Sequence, residues 1–321
     1  MGTRPMKTFL TVLAAGALLA APAALQAKST RVTRVVEKTF TVQAGGTFKA
    51  TTQGGDITIR TADVKEVRIT AKQVFRTSDE KEADEIAEKL TLTMEQAGND
   101  VTAEAKYEKR PGGSWFSSWP PVNVSFEVTV PKNFNLNLNT SGGDIEAASV
   151  VGNVRARTSG GDMKFDRVDG EIDAHTSGGD ITLREGTASA KLGTSGGNID
   201  VDRAGGPTQV STSGGDITIN SVTQLLSAST SGGDVRATLT EPLKQDTVLS
   251  TSGGDVRVRV VKGAGFELDA STSGGDVRAE GVTITIAKGG VGKSRLAGSV
   301  NGGGPRLKLR SSGGDISVQT D

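Results

Sequence analysis

The residues best suited to bind a ligand or a partner are the aromatic residues of one loop. Both tryptophans of the chain, Trp115 and Trp119, lie there with Phe116, among Gly, Ser and Pro residues. Aromatic faces stack on sugar rings, anchor protein contacts and enter membrane interfaces. The sequence leaves these roles open, and it equally allows the three rings to cover one end of an apolar core.

Three arginines near the C-terminus form a second candidate binding surface. Arg236, Arg257 and Arg278 each follow an aspartate of a repeated motif by two residues. Side chains two residues apart on a strand share a face, so columns of aspartate and arginine should lie side by side. The arginines could bind the anionic groups of a glycan or a phospholipid. Alternatively, they form exposed ion pairs, which contribute about 0–1 kcal/mol each.

Residues typical of catalysis are not gathered into one site. The single histidine, His175, lies beside a repeated Thr-Ser pair, and no acid is singled out to orient it. The chain has no cysteine, which excludes thiol catalysis, thiolate metal sites and disulfides. The carboxylates recur evenly instead of clustering in one cleft. We therefore expect no catalytic residues, no metal site and no cofactor.

One segment, residues 288–294, has the glycine and lysine spacing of a phosphate-binding loop. Such a loop requires a helix directly after it, because the helix N-terminus binds the phosphate. Residues 295–300 are flanked by glycines and are a poor helix candidate. The sequence therefore predicts a turn insert here and no nucleotide site.

A repeat must position these residues. The motif Thr-Ser-Gly-Gly-Asp recurs along the C-terminal part at intervals of 18 and 21 residues, with one final interval of 39. Apolar residues alternate after each copy, as at Ile181 and Leu183, which indicates a strand with one buried face. A fixed period of this size predicts stacked units. We predict a mainly β fold, a single-stranded parallel β-solenoid (β-helix) of roughly 18–21-residue coils with a small N-terminal α+β cap.

Each repeat is expected to turn a tight corner at its glycine pair. The glycines should provide positive φ and allow close approach of the neighbouring corner. The acid after them should accept hydrogen bonds from nearby backbone N–H groups, and the neutral Asn198 can do the same. Related repeats in other solenoids bind calcium in their turns, and the sequence leaves that alternative open. The predicted corner ladder comprises Asp144, Asp162, Asp180, Asn198, Asp216, Asp234, Asp255, Asp276 and Asp315.

The chain divides into three predicted parts. Residues 1–27 have the positive start, apolar run and small-residue end of a signal peptide, with cleavage near Ala27. Residues 28–139 read as a β-rich cap with one short helix, which a capping box from Thr77 to Glu80 should begin. Residues 140–321 carry the repeats. No later run is long and apolar enough to span a bilayer, so we expect an exported mature chain without a transmembrane segment, either periplasmic or secreted.

These features together resemble a known family. A leader, a β-rich start with one helix, Val130-Pro131, the serial Ser-Gly-Gly-Asp coils, Asn301-Gly-Gly-Gly-Pro305 and the closing motif of residues 311–316 are similar to the bacterial putative-adhesin family of β-strand-repeat envelope proteins, a domain of unknown function. The resemblance covers residues 35–320. It implies an exported β-solenoid and supplies no catalytic residues.

The sequence favours an exported cell-envelope protein with a non-enzymatic binding, adhesin-like or scaffolding role. Its partner would be an envelope polymer, a membrane surface or a protein. Basic and acidic residues balance at 37 each, which argues against a nucleic-acid partner. Two alternatives stay open: a carbohydrate-active β-helix enzyme acting on an envelope or extracellular polysaccharide, and an envelope-stress sensor component whose aromatic loop contacts a partner.

Overall fold

Strands make up most of the structure. The computed structural model describes residues 31–108 and 120–320, and it confirms the predicted mainly β character. Within these residues the strands join into one continuous sheet, and the single helix is short. No helix in this part of the chain has the length and apolar character that crossing a membrane requires.

The elements before the repeats are β1 (Thr33–Thr41), β2 (Thr47–Thr51), β3 (Ile57–Ala62), β4 (Glu66–Phe75), α1 (Glu80–Ala87), β5 (Leu90–Ala97), β6 (Asp100–Tyr107) and β7 (Val122–Pro131). The repeat region contains β8 (Asn135–Asn139), β9 (Ile145–Ala147), β10 (Val150–Val151), β11 (Val154–Arg157), β12 (Met163–Asp169), β13 (Ile172–His175), β14 (Ile181–Gly186), β15 (Ala190–Gly193), β16 (Ile199–Ser211), β17 (Ile217–Ser229), β18 (Val235–Leu239), β19 (Thr247–Ser250), β20 (Val256–Val260), β21 (Phe266–Thr272), β22 (Val277–Glu280), β23 (Ile284–Gly292), β24 (Arg295–Val300), β25 (Arg306–Ser311) and β26 (Ile316–Thr320).

Successive repeats stack in parallel with a constant register. Met163 of β12 pairs with Ile145 of β9 on one side and with Ile181 of β14 on the other, each one repeat away. The strands that precede the corners stack in the same way, with Val154 of β11 beside Ile172 of β13. We call the strand before a corner, the corner and the strand after it a layer, and the whole column of layers the stack.

The interior of the stack is narrow and consists of alternate residues. The two alternating positions after each corner are buried from Ile145 to Val258, and again at Ile316 and Val318, as their spacing predicts. Burying an aliphatic side chain stabilises the fold by about 1.5–3 kcal/mol, so this apolar column holds successive layers together. Only Val277, in the last repeat layer, and its neighbour Ala279 are half-buried.

The second glycine of each corner is required because the neighbouring layer lies close. A Cβ on Gly179 would lie 2.1 Å from the carbonyl oxygen of Gly161 in the preceding layer, whereas a Cβ on Gly178 would have no such atom nearer than 3.5 Å. The expectation of positive φ is wrong: among the described residues, no corner glycine has φ in the left-handed region. Layers spaced at roughly 4.8 Å simply leave no room for a side chain at this position.

The N-terminal region contributes layers to the same stack. β2 and β3 flank Gly54-Gly55-Asp56 and pair with β8 and β9 on one side. On the other side they pair with β6 and β7. β5 then lies antiparallel to β6, β4 lies antiparallel to β7, and β1 pairs antiparallel with β4. The change from parallel to antiparallel pairing marks this end of the stack.

The helix begins at a different cap from the one predicted. Asp79 is the N-cap of α1, and its Oδ1 accepts from the N–H groups of Lys81 and Glu82 at 2.8 and 3.1 Å. Thr77 Oγ1 instead accepts from the N–H of Asp79 at 3.1 Å. A carboxylate at the N-cap also interacts favourably with the positive end of the helix dipole, which favours Asp79 over Thr77.

The C-terminal strands do not stack in chain order. β25 lies between β19 and β21, and β26 lies between β20 and β22. The final repeat is therefore inserted between the two repeats that precede it in the sequence. The long sequence interval before it is occupied by the hairpin of β23 and β24, in which β24 pairs antiparallel with β21.

The segment resembling a phosphate-binding loop belongs to this hairpin. Residues 288–294 run along the end of β23 and through the turn into β24. The turn insert expected here is thus only partly correct, because most of the segment is strand. A strand and hairpin turn cannot provide the helix N-terminus that a phosphate would need.

Candidate functional site

The corner acids form one continuous hydrogen-bonded ladder. Asp144 Oδ1, for example, accepts from the backbone N–H of Asp162 in the next layer at 2.8 Å. Asn198 Oδ1 accepts from the N–H of Asp216 at the same distance. The acceptor therefore bonds to the neighbouring layer and not within its own turn. In stacking order the ladder runs Asp56, Asp144, Asp162, Asp180, Asn198, Asp216, Asp234, Asp255, Asp315 and Asp276.

A second ladder, formed by the residue that begins each corner, was not predicted. Thr158 is buried, donates from Oγ1 to the carbonyl of Gly143 at 2.9 Å, and accepts from the N–H of Gly161 at 3.4 Å. The recurrence of this threonine in the sequence could have predicted the ladder. Ser311, which replaces the threonine in the final repeat, makes equivalent contacts. Together the two ladders fix the position at which the next strand begins.

The arginines of the C-terminal layers bind the second oxygen of the ladder acids. Asp234 Oδ2 accepts from Arg236 Nη2 at 2.5 Å and from Arg257 Nη1 at 3.2 Å. Arg257 Nη2 also donates to Asp255 Oδ2 at 2.6 Å. Burial acts to raise the pKa of Asp234, but the N–H of Asp255 and the two arginines outweigh it and hold the pKa below its ordinary value. Asp234 is therefore a stable anionic anchor for both guanidinium groups.

A shallow depression of about 340 Å³ lies beside these anchored arginines. We call it the arginine depression. Its polar lining residues are Arg236, Arg257, Arg259, Thr218, Asn220, Thr238, Ser317 and Gln319.

The structure brings together only two of the three predicted arginines. Arg236 and Arg257 are direct neighbours across β18 and β20. Ser317 separates Arg257 from Arg278, because β26 is inserted between their strands. Arg278 instead pairs with Asp276, with 3.3 Å between Nη2 and Oδ2. Arg259, which shares a strand face with Arg257, takes the place of Arg278 in the arginine depression. Strand alternation was the sequence signal that pointed to Arg259.

The arginine depression has the chemistry of an anion-binding surface. Carboxylates hold Arg236 and Arg257 from the corner side, and these side chains are 43% and 47% exposed. The hydroxyl of Thr238 and the amides of Asn220 and Gln319 supply neutral hydrogen-bonding groups in the same depression. Guanidinium groups bind carboxylate and phosphate through paired N–H donors, and the neutral groups suit hydroxyls around such an anion.

The layers next to the arginine depression, towards the N-terminal end of the stack, carry acidic residues around Asp200 on β16. Burial and, after it, the carboxylates of Asp180, Asp202 and Asp216 raise the pKa of Asp200. In residues 31–108 and 120–320, no group of histidine and acidic side chains is arranged to hold a metal ion. The negative potential of this cluster disfavours anions, so the sign of the surface charge changes between Asp200 and Arg257.

Two other predicted features have different outcomes. Trp115, Phe116 and Trp119 fall within residues 109–119, outside the described residues, and their role stays a prediction. His175 is half-buried and lies between Arg157 and Gly193 in neighbouring layers. A Cβ at position 193 would lie 2.4 Å from the imidazole Cε1, so the glycine leaves room for this ring.

Comparison with known proteins identifies a family. The family model described as Toastrack DUF4097 matches residues 49–319. No curated protein matches the chain significantly.

Several solved structures are similar over most of the chain. A putative adhesin from Bacteroides fragilis is 12% identical, with 90% of this chain and 97% of that chain covered and a TM-score of 0.42. A putative lipid binding protein from Parabacteroides distasonis is 14% identical, with coverage of 90% and 97% and a TM-score of 0.45. A putative cell adhesion protein from Clostridium sporogenes is 12% identical, with coverage of 90% and 100% and a TM-score of 0.23. Since the family model spans the N-terminal layers and every repeat, the chain belongs to the Toastrack DUF4097 family.

Proposed function

We propose that this chain is an exported, non-enzymatic binding protein of the cell envelope, whose parallel β-solenoid holds the arginine depression rigidly for an anionic group of an envelope component. The observation that carries the proposal is the arrangement of Arg236, Arg257 and Arg259 in one depression, two of them anchored by the aspartate ladder. Export follows from the leader in residues 1–27, with cleavage near Ala27.

Anchoring supports binding because it lowers the entropy lost when a ligand is held. A free arginine side chain loses about 0.5–1.5 kcal/mol of rotamer freedom when it is fixed at an interface. Arg257 is already oriented by Asp234 and Asp255, so less of that cost falls on the binding step. The neutral groups of Thr238, Asn220 and Gln319 would add hydrogen bonds without repelling the anion.

The ligand chemistry is a phosphate or carboxylate with hydroxyl groups nearby. A phospholipid headgroup and an acidic glycan both provide it. The enzyme alternative has less support, because the depression itself contains arginines, hydroxyls and amides and no carboxylate pair that could act as acid and base.

Binding of residues 28–321 to defined anionic probes tests the proposal. One arm uses vesicles with and without phosphatidylglycerol, and the other uses an immobilised acidic polysaccharide beside its neutral counterpart. We expect binding to one anionic probe that weakens with added salt. The double variant Arg257→Gln with Arg259→Gln should reduce affinity about 10-fold or more, because it removes two guanidinium groups from the depression.

The matched control is Arg184→Gln. Arg184 is also exposed and paired, with 3.4 Å between Nη1 and Asp166 Oδ1, but it lies outside the arginine depression. Affinity should not change in this variant. Equal losses in both variants would mean non-specific charge attraction, and no binding to any anionic probe would reject the proposed function.

A further inference from the structure

The C-terminal end of the stack is uneven. Within the described residues, the strands after the corners end with β22, which pairs only with β26. The strands before the corners continue further, because β24 pairs with β21 and β23 pairs with β24. The turn of this hairpin contacts the start of β22, where Val277 N–H donates to Lys293 O. The hairpin of β23 and β24 therefore extends beyond β22 by two strand spacings, about 10 Å, and none of the described strands lies opposite it.

The apolar face of β21 continues across this hairpin and becomes exposed. Ala270 of β21 pairs with Leu296 of β24, which pairs with Val291 of β23. Along this row Ala270 is buried, Leu296 is half-buried and Val291 is 64% exposed. Ile286 pairs with Gly298, two residues after Leu296, so it shares this face, and it is 47% exposed. We call the apolar residues on this side of the hairpin the hairpin face: Ile284, Ile286, Val291 and Leu296.

The exposed valines at the opposite end of the stack form no such patch. Val35 and Val36 are 55% and 41% exposed, but neighbouring residues of a strand point to opposite faces. The hairpin face instead gathers its aliphatic side chains on one side of the sheet. Contiguous apolar surface of this kind marks a site of interaction with a partner or a membrane.

The charge around the hairpin face indicates which of these it contacts. Residues 281–304, which contain the hairpin, have three basic residues and no acidic residue. The Lys293 side chain is 85% exposed, and its Nζ lies 3.5 Å from Asp276 Oδ1. Arg295 is exposed on the side of the hairpin opposite the hairpin face. Apolar residues flanked by lysine and arginine are typical of elements that lie in a membrane interface, and anionic lipids attract such cations.

We propose that the hairpin of β23 and β24 inserts the hairpin face into the surface of a bilayer that contains anionic phospholipid. Interfacial elements bury their apolar face by about 5–10 Å, which matches the distance of about 10 Å by which the hairpin extends beyond β22. Ile286 and Val291 enter the acyl boundary, while Lys293 and Arg295 stay at the level of the phosphates. An acidic polysaccharide also provides anionic groups, but it has no apolar interior to receive Ile286 and Val291.

Insertion of the hairpin extends the proposed function without depending on it. The arginine depression lies towards the same end of the stack, because β26 contributes Ser317 and Gln319 to it and pairs with β22. A bilayer bound at the hairpin face would therefore lie near the depression, and a phospholipid headgroup would be the anion that the depression binds. That assignment rests on the proposed function, whereas insertion of the hairpin does not.

Flotation of residues 28–321 with vesicles of phosphatidylethanolamine, with and without phosphatidylglycerol, tests the insertion. We expect binding to the anionic vesicles. Ile286→Ser with Val291→Ser should lower the affinity about 10-fold or more, because two aliphatic side chains no longer leave water while the charge of the chain is unchanged. The matched control is Val35→Ser with Val151→Ser, at valines that are 55% and 42% exposed outside the hairpin. It should bind as the parent does, and thermal unfolding should change equally little in both variants.

A fluorescent label locates the inserted residues. The chain has no cysteine, so an environment-sensitive dye attached at Val291→Cys reports only that position. With anionic vesicles its emission should shift to the blue and be quenched by a nitroxide on the lipid acyl chain, while a dye at Val151→Cys should not respond. The dye at position 291 should respond equally in a chain that also carries Arg257→Gln with Arg259→Gln. Failure of the arginine depression as a binding site would leave this response intact.

Equal vesicle affinity of the parent and of Ile286→Ser with Val291→Ser, vesicle binding without a response from the dye at position 291, or no binding to anionic vesicles would each overturn the proposal. Sedimentation equilibrium without vesicles tests the other occupant. A dimer that the serine variant loses would identify the hairpin face as an interface between two copies of the chain and would equally overturn the insertion.

Discussion

The contrast between the two glycines of one corner gives the sharpest test of the packing argument. A Cβ on Gly179 would approach Gly161 O to 2.1 Å, whereas ordinary contact begins at 3.4 Å, so the two layers would have to separate locally by about 1.3 Å. That separation would break the hydrogen bond from Asp180 N–H to Asp162 Oδ1, at 2.8 Å, and the one from Thr176 Oγ1 to Gly161 O, at 3.0 Å.

Each lost hydrogen bond costs about 1 kcal/mol net, and a buried group left without a partner costs about 1–3 kcal/mol more. Gly179→Ala should therefore lower the free energy of unfolding by about 3–5 kcal/mol. Gly178→Ala meets only ordinary contacts at 3.5 Å, and its φ is outside the left-handed region. It should stay within about 1 kcal/mol of the parent and can even stabilise the protein by restricting the unfolded chain.

Urea unfolding followed by far-UV circular dichroism measures both changes, and hydrogen exchange locates them. The amide of Asp180, which donates to Asp162 Oδ1, should exchange faster in Gly179→Ala and at the parent rate in Gly178→Ala. Equal stability of the two variants would refute the reasoning, because it would show that the layers can separate at this corner without loss of their hydrogen bonds.

Four further predictions follow from the ladders, the charges and the chain ends. Asp162→Asn should keep most of the stability, as Asn198 does in the parent, whereas Asp162→Ala should lose about 1–3 kcal/mol in urea unfolding; equal losses would mean that charge and not the acceptor matters. Asp200→Asn should stabilise the protein at pH 7, because burial and neighbouring carboxylates raise the pKa of Asp200 in the folded state. The destabilisation caused by ionised Asp200 is absent below the ordinary pKa and develops as the pH rises through the pKa of Asp200 in the folded state. Thermal unfolding should therefore show that the stability advantage of Asp200→Asn disappears in acid. A constant advantage would contradict this origin. Deletion of residues 305–321 should expose residues 251–304 to proteolysis while the N-terminal layers stay protected, because β25 and β26 lie inside the stack; uniform resistance would contradict the inserted order. Trp115→Ala with Trp119→Ala should abolish binding to isolated envelope fractions with unchanged stability if the aromatic loop is a binding site, and lost stability would instead identify the rings as a cover for the core.

The repeat pattern made the interior predictable. Alternation and period are local properties of a sequence, and each copy carried the same signal, so positions such as Ile181 and Leu183 could be assigned inward without knowing the stacking order. The same reasoning placed Arg236 and Arg257 on one outer column. It could not locate the arginine depression, because its lining includes Ser317 and Gln319 from the inserted strand.

The inserted order was unpredictable because the corners are nearly identical. Any corner with a threonine or serine hydroxyl, a glycine pair and an acid can stack on any other, so the sequence does not state which pairs with which. The hydrogen bonds from Asp315 N–H to Asp255 and from Asp276 N–H to Asp315, at 2.7 and 2.8 Å, are equivalent to those between consecutive repeats. Inserting the last repeat therefore loses no ladder hydrogen bond, and the stacking order must be determined by the segments around the corners.

The two ends of the aspartate ladder show how residues outside the repeats end the stack. At the N-terminal end Asp56 N–H donates to Ser125 Oγ at 3.1 Å, and Ser125 lies on β7, where the pairing becomes antiparallel. At the other end Asp276 Oδ1 contacts Lys293 Nζ at 3.5 Å, in the turn of the hairpin that covers β21. Both terminal positions are thus completed by residues that do not belong to the repeat. The repeats supply identical contacts at every layer, and these closing residues limit the stack to a finite length.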